Sequence, residues 1–149
     1  MTWEHNRVAW RLGFRLQQQL DLDQFEVRVD AGHVRRSETE YFIPDVMVIP
    51  LDQARATFTA PGMTALYPWP LPLVVEVWSP STGGNDMSTK LPEYQRRGDA
   101  EIWLFHVRRR VLTAWVSCQV TSGIGAPNCT GLVWQSRQRR CTTGATSQA

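Results

Sequence analysis

Lysine is nearly absent from this sequence. Of its 16 basic residues one is a lysine, Lys90, and the rest are arginine. Arginine therefore carries the ordinary surface charge, and the lone ammonium invites a specific role. Cysteine is sparse as well. Cys118, Cys129 and Cys141 all lie in the last third and form no CxxC pair, which argues against a zinc site and against a disulfide framework. An odd number of thiols, with no signal-peptide layout at the N-terminus, suits a reducing compartment, so a cytoplasmic location is expected. No apolar run reaches the roughly 18 residues of a membrane span. Net charge is only +2, too little by itself to argue for nucleic acid.

Several chemistries are missing too. Gly83, Gly84 and Lys90 do not make a P-loop, which needs Gly-Lys-Ser/Thr in sequence. No GxGxxG follows a strand. Ser79 and Ser81 lack the glycine frame of a nucleophile elbow. His5, His33 and His106 show no metal-ligand spacing. There are no internal repeats. At 149 residues the chain fits one domain with a real core.

What is present begins with an amphipathic segment. Val8, Leu12, Leu16 and Leu20 recur every four residues and predict a helix over 3–20, with Thr2 as N-cap and Glu4 in the first turn. Gly13 weakens its middle. Residues 25–29 alternate as a half-buried strand. Residues 33–36 suggest a short second strand, and 41–43 lead into Pro44, Asp45 and the apolar run Val46–Ile49. The proline-rich stretch 50–72 reads as loop, with a helical turn or two from Leu51. Leu73–Trp78 is a buried-strand pattern interrupted by Glu76. Residues 86–97 read as a helix closed by Gly98. Pro92 leaves two options there: Thr89 is the true N-cap, or the helix kinks. Residues 100–107 and 111–116 read as a hairpin. Beyond 117 the pattern dissolves, with only Leu132–Trp134 able to form a strand and a disordered composition at the end. One folded unit is thus placed at 1–116 and an irregular segment, partly strand, at 117–149.

The basic clusters Arg96–Arg97, Arg108–Arg110 and Arg137–Arg140 read first as solvated faces, with phosphate contact as the minority role. Glu4 and His5 read first as capping and solvated groups. Asp45 has two readings, a turn cap or a functional acid at a strand entrance. Glu76 is harder to place, because a charge in a buried strand costs several kcal/mol unless paired. Two acids close together in a poorly hydrated place repel. A hard divalent cation, Mg²⁺ or Mn²⁺, resolves that repulsion through oxygen ligands. It also activates water and polarises a phosphoryl oxygen. A lysine beside it orients the water and offsets charge on the phosphate. Asp86, Lys90 and Tyr94 share one helical face at four-residue spacing.

Taken together, Pro44–Asp45–Val46–Met47–Val48, Leu73–Val74–Val75–Glu76–Val77–Trp78–Ser79–Pro80–Ser81–Thr82, Lys90–Leu91–Pro92–Glu93–Tyr94 and Glu101–Ile102–Trp103–Leu104 resemble the putative restriction endonuclease family of the PD-(D/E)XK nuclease superfamily. The Glu4–His5 pair is similar as well, and the resemblance covers about residues 3–116. It implies an α/β (α+β), restriction-endonuclease-like fold: a central mixed sheet flanked by helices, with core order αβββαβ. It implies Asp45 and Glu76 as metal-holding acids, Glu4 as an auxiliary acid and the Val77 carbonyl as a further ligand. Residue 78, where the superfamily lysine usually falls, is Trp78. The resemblance implies that Lys90 replaces that lysine from the following helix, with Tyr94 in support. The implied activity is Mg²⁺- or Mn²⁺-dependent hydrolysis of DNA, with Arg96 and Arg97 near phosphates, by a homodimer without membrane contact. The alternative is a catalytically inactive nucleic-acid-binding or assembly module with the same fold.

Overall fold

The computed structural model describes residues 2–57, 65–78, 85–117 and 129–135, with the backbone alone at 85–87 and 129–135. The elements are α1 (Trp3–Gln17), β1 (Phe25–Val29), β2 (His33–Arg35), β3 (Tyr41–Phe42), β4 (Val46–Pro50), α2 (Leu51–Thr57), β5 (Leu66–Tyr67), β6 (Leu73–Trp78), α3 (Asn85–Arg97), β7 (Glu101–His106), β8 (Val111–Ser117) and β9 (Cys129–Gln135). The main sheet has the order β1-β4-β6-β7-β8-β9. Its β6–β7 pair is parallel and its other neighbours are antiparallel. This is the expected mixed sheet flanked by helices, with α1, β1, β4, β6, α3 and β7 tracing the αβββαβ order.

Burial explains the strand patterns. β4 and β6 are covered on both faces, so they read as nearly unbroken apolar runs rather than alternating ones. Their even and odd residues still divide between two cores. Val46, Val48, Leu73, Val75 and Val77 pack with Ala9 and the apolar stripe of α1. Met47, Ile49 and Val74 pack on the other side with Ala54 of α2, Tyr67 of β5 and Tyr94 of α3. Each such side chain taken fully out of water contributes about 1.5–3 kcal/mol.

α1 starts where its cap predicts: the Thr2 side chain accepts the His5 N–H at 3.3 Å. It ends at Gln17 instead of 20, because Gln19 and Leu20 both donate to the Leu16 carbonyl in a closing turn. Gly13 is required there, since a Cβ would collide with the Val29 side chain of β1. Residues 58–64 of the expected loop lie outside the described residues, and on either side of them the stretch 50–72 carries regular structure that its prolines hide. α2 occupies its start, and β5 pairs in parallel with β2 in a small second sheet of order β3-β2-β5.

Pro92 lies inside α3, so Lys90 sits within the helix rather than on its first residue. β6 and β7 run parallel, and α3 is their crossover, which lays one helical face over the sheet. A buried clamp fixes the far end of α3. Arg97 bonds both Asp99 oxygens and the carbonyls of Tyr67 and Trp69, and Asp99 accepts the Leu71 N–H at 2.7 Å. At its other edge the sheet continues past residue 116 through β9, which contains the expected strand residues 132–134. Residues 79–84, 118–128 and 136–149, including the Ser/Gly turn and the polar tail, lie outside the described residues. Among the described residues no helix is long and apolar enough to cross a membrane.

Candidate active site

β4 and β6 stop pairing at Val46 opposite Val75. One step further along that register sets Asp45 opposite Glu76, and directly opposed residues on an antiparallel pair have Cβ atoms about 4.5–5.5 Å apart. The two acids are thus brought together by strand register across 31 positions of sequence. Both are nearly buried.

Asp45 finishes the ladder with its side chain. Its Oδ2 accepts the Val77 N–H at 2.6 Å and meets His5 Nε2 at 3.1 Å. Its backbone carbonyl accepts the Asp30 N–H. Among the described residues Asp45 Oδ1 takes no hydrogen bond, which leaves one carboxylate oxygen for a ligand. In an extended residue the N–H and C=O face the same edge, so the Val77 carbonyl opens toward Asp45 too.

Glu76 faces the α3 side. Lys90 Nζ lies 3.1 Å from each of its oxygens, and the Tyr94 hydroxyl donates to Oε1 at 2.6 Å. Lys90 and Tyr94 are one helical turn apart, so α3 presents both to one carboxylate. Phe42 walls this cluster, with its ring 5.9 Å from Lys90 Nζ and edge-on to Tyr94. Burial pushes the Glu76 carboxyl up to about 7, and the charge of Asp45 adds to the rise. The Lys90 ammonium and the Tyr94 hydroxyl pull against it. Burial, then the neighbouring Glu76, holds the Tyr94 phenol far above its ordinary range. Asp30 is also raised, by burial first and Asp45 second.

Asp45, Glu76, Lys90, Tyr94 and the Val77 backbone therefore share one end of the sheet. Glu4 stands apart: it is exposed on the first turn of α1 and lines a groove beside the helix. The group that reaches Asp45 from α1 is His5, which is buried, with Nδ1 unpartnered. The sequence carried a signal for it: His5, Ala9, Leu12 and Leu16 follow helical spacing on the buried stripe, so His5 faces inward. Arg97 is withdrawn from any phosphate by its clamp on Asp99. Arg96 is exposed but bonds Glu93 and the Arg36 carbonyl. Trp78, at the position of the usual superfamily lysine, packs on His106 with ring centroids 3.9 Å apart.

The donor set suits a hard divalent cation in its chemistry, although no cluster of three His, Cys, Asp or Glu groups occurs among the described residues. Two opposed acids in a poorly hydrated place repel, and Glu76 is raised by burial first and by the Asp45 charge after it. Asp45 Oδ1 is open, and a carboxylate has about four lone-pair sites, so Glu76 Oε2 keeps one beyond its bond from Lys90. With few carboxylates, the remaining positions would fall to water and the Val77 carbonyl, as Mg²⁺ tolerates.

The family described as putative restriction endonuclease (Uma2) matches residues 1–119. Among solved structures, the crystal structure of a putative nuclease belonging to DUF820 from Anabaena variabilis is similar with a TM-score of 0.64. The alignment has 10% sequence identity and covers 82% of this chain and 67% of that one. At that identity the likeness is one of fold. No curated protein matches the chain.

Proposed function

The chain belongs to the putative restriction endonuclease family, and from that premise we propose that it is a metal-dependent endonuclease hydrolysing DNA phosphodiester bonds. The observation that carries this reading is the convergence of Lys90 on Glu76, with Asp45 opposite across β4–β6. Asp45, Glu76 and the Val77 carbonyl would hold the cation. When bound, Mg²⁺ or Mn²⁺ supplies positive charge against the scissile phosphate and lowers the pKa of water.

The protein's own groups do the rest. His5 and the Val77 N–H fix the Asp45 carboxylate, so its open oxygen has one direction. Tyr94 holds Glu76 in place from the α3 side. Lys90 Nζ, with three donors, orients the attacking water and offsets charge growing on the phosphate. Lys90 therefore takes the role of a lysine two residues after the second acid, and Trp78 is released from it.

The test is cleavage of supercoiled plasmid DNA in Mg²⁺ or Mn²⁺. Asp45→Asn and Lys90→Ala should each lower the rate by at least about a hundredfold, since loss of one electrostatic stabiliser costs that much, while circular dichroism shows the fold retained. A folded wild type that neither cuts nor binds metal sinks the enzyme reading. One observation favours the second reading, an inactive nucleic-acid-binding module: Lys90 and Tyr94 satisfy Glu76 without any ligand. That reading gains if Mn²⁺ leaves the melting temperature unchanged while DNA still binds. Homodimer formation, which double-strand cutting by so small a domain calls for, is part of the same proposal.

A further inference from the structure

The outward face of α1 has a composition that packing does not explain. At about 100° per residue, Trp3, Arg7, Trp10 and Phe14 fall within about 60° of one another, turned away from the buried Ala9 by about 130° and from Gly13 by about 90°. Trp3 is 71% exposed, Trp10 65% and Phe14 59%. Three large aromatic rings on one solvent-facing stripe are a docking surface rather than a core. Arg7 lies over the Trp3 ring at 5.0 Å.

A groove of about 690 Å³ runs beside this stripe, between α1 and the turn joining β7 to β8. Arg7, Arg11, Arg108 and Arg110 line it, with Glu4 as its one acid. Among the described residues none of these four arginines has a carboxylate partner. A solvated structural face would pair some of them, so the surplus charge points to a polyanion. A second copy of the chain fits poorly, because it would bring like charges face to face. The groove also adjoins the proposed site. Glu4 precedes His5, which holds Asp45, and Val107 of the groove donates to the Trp78 carbonyl at the end of β6.

Phosphates alone would need only the arginines. Exposed rings interleaved with arginines are the surface on which unpaired bases stack while cations follow the backbone. We infer that this face binds an unpaired stretch of nucleic acid, so that the substrate class is DNA with single-stranded character beside the cleaved bond. The inference deepens the endonuclease reading and rests on it for the identity of the polyanion.

Binding is measured by fluorescence anisotropy with the full chain in chelator, using labelled oligothymidylate and a duplex of equal length. The oligothymidylate should bind at least about tenfold more tightly, with log K falling against log salt by about 0.7 for each phosphate contacted. Trp3→Ala and Trp10→Ala should each weaken it by about 5- to 150-fold. Arg7→Ala with Arg11→Ala should reduce the salt slope by about 1.4. All four side chains are exposed, so melting temperatures should hold, and a melt of each variant checks this. Equal affinity for both probes overturns the inference, as does unchanged binding in the tryptophan variants. A dimer in sedimentation that Trp10→Ala abolishes also overturns it and assigns the face to a second copy. The two readings fail separately. Tight oligothymidylate binding without any cleavage sinks the endonuclease and keeps this face, whereas plasmid cutting untouched by Trp3→Ala and Trp10→Ala does the reverse.

Discussion

Glu76 stores a measurable tension. Its carboxyl is raised from 4.5 to about 7 in the folded chain, so between those values the folded state binds more protons than the unfolded one. Stability from this group is therefore fully present below about pH 4.5 and lost as pH rises through about 7. The shift corresponds to a loss on the order of 3 kcal/mol. In metal-free protein, the unfolding free energy of wild type minus that of Glu76→Gln should fall by that order across the interval, measured by urea titration at several pH values. A flat difference would mean that Lys90 and Tyr94 already neutralise the group. At this scale the sequence was most informative. Asp45, Glu76 and Lys90 stood out because charge is costly beside apolar strands and because the lysine is unique. The partner of Asp45 was harder to see, since a histidine in a first helical turn also serves as an ordinary solvated group.

Two elements carry residues that ordinary propensity disfavours, and they make opposite predictions. Pro92 removes an N–H from the interior of α3, leaving it unable to bond the Ser88 carbonyl. Interior proline costs a helix about 3 kcal/mol, so Pro92→Ala should raise the melting temperature, while a kink needed to aim Lys90 would show as a lower cleavage rate in the same variant. Gly13→Ala should do the reverse of what helix propensity suggests. The added methyl meets Val29, and overpacking of this kind costs about 1–3 kcal/mol, read as a lower denaturant midpoint with an unchanged slope. Sequence reasoning took Gly13 as a weak spot in a helix, since close approach of β1 is a tertiary fact. The same limit hid β5. Its two residues gain strand geometry only by pairing with β2, more than thirty positions earlier, and no local pattern of Pro68, Pro70 and Pro72 records that. By contrast β1, β4, β6, β7 and β8 were legible, because alternation and unbroken apolar runs follow directly from one-sided and two-sided burial.

On the scale of the whole molecule, the proposed site lies at one end of the sheet that separates the two hydrophobic cores. His5 reaches it from the α1 layer, Lys90 and Tyr94 from the α3 layer, and the acids from the sheet between. A cation held there would tie all three layers in the native state alone. Mn²⁺ at a hundred times its dissociation constant should therefore stabilise the protein by about 2.7 kcal/mol, seen as a higher melting temperature, and Asp45→Asn should abolish the gain. Layer order was readable from the sequence. The meeting point of the layers was not, because it depends on where β4 stops and on a side chain taking over its last hydrogen bond.

The crossover position of α3 also bears on how the chain matures. A connection between parallel strands closes only when its second strand docks. A nascent chain can pair β1, β4 and β6, and so oppose Asp45 and Glu76, before residues 101–106 have left the ribosome. Lys90 is held over Glu76 once β7 joins and α3 spans the two parallel strands. Assembly of the centre thereby waits on the synthesis of β7, and a chain stalled before residue 101 opposes Asp45 and Glu76 without α3 docked over Glu76.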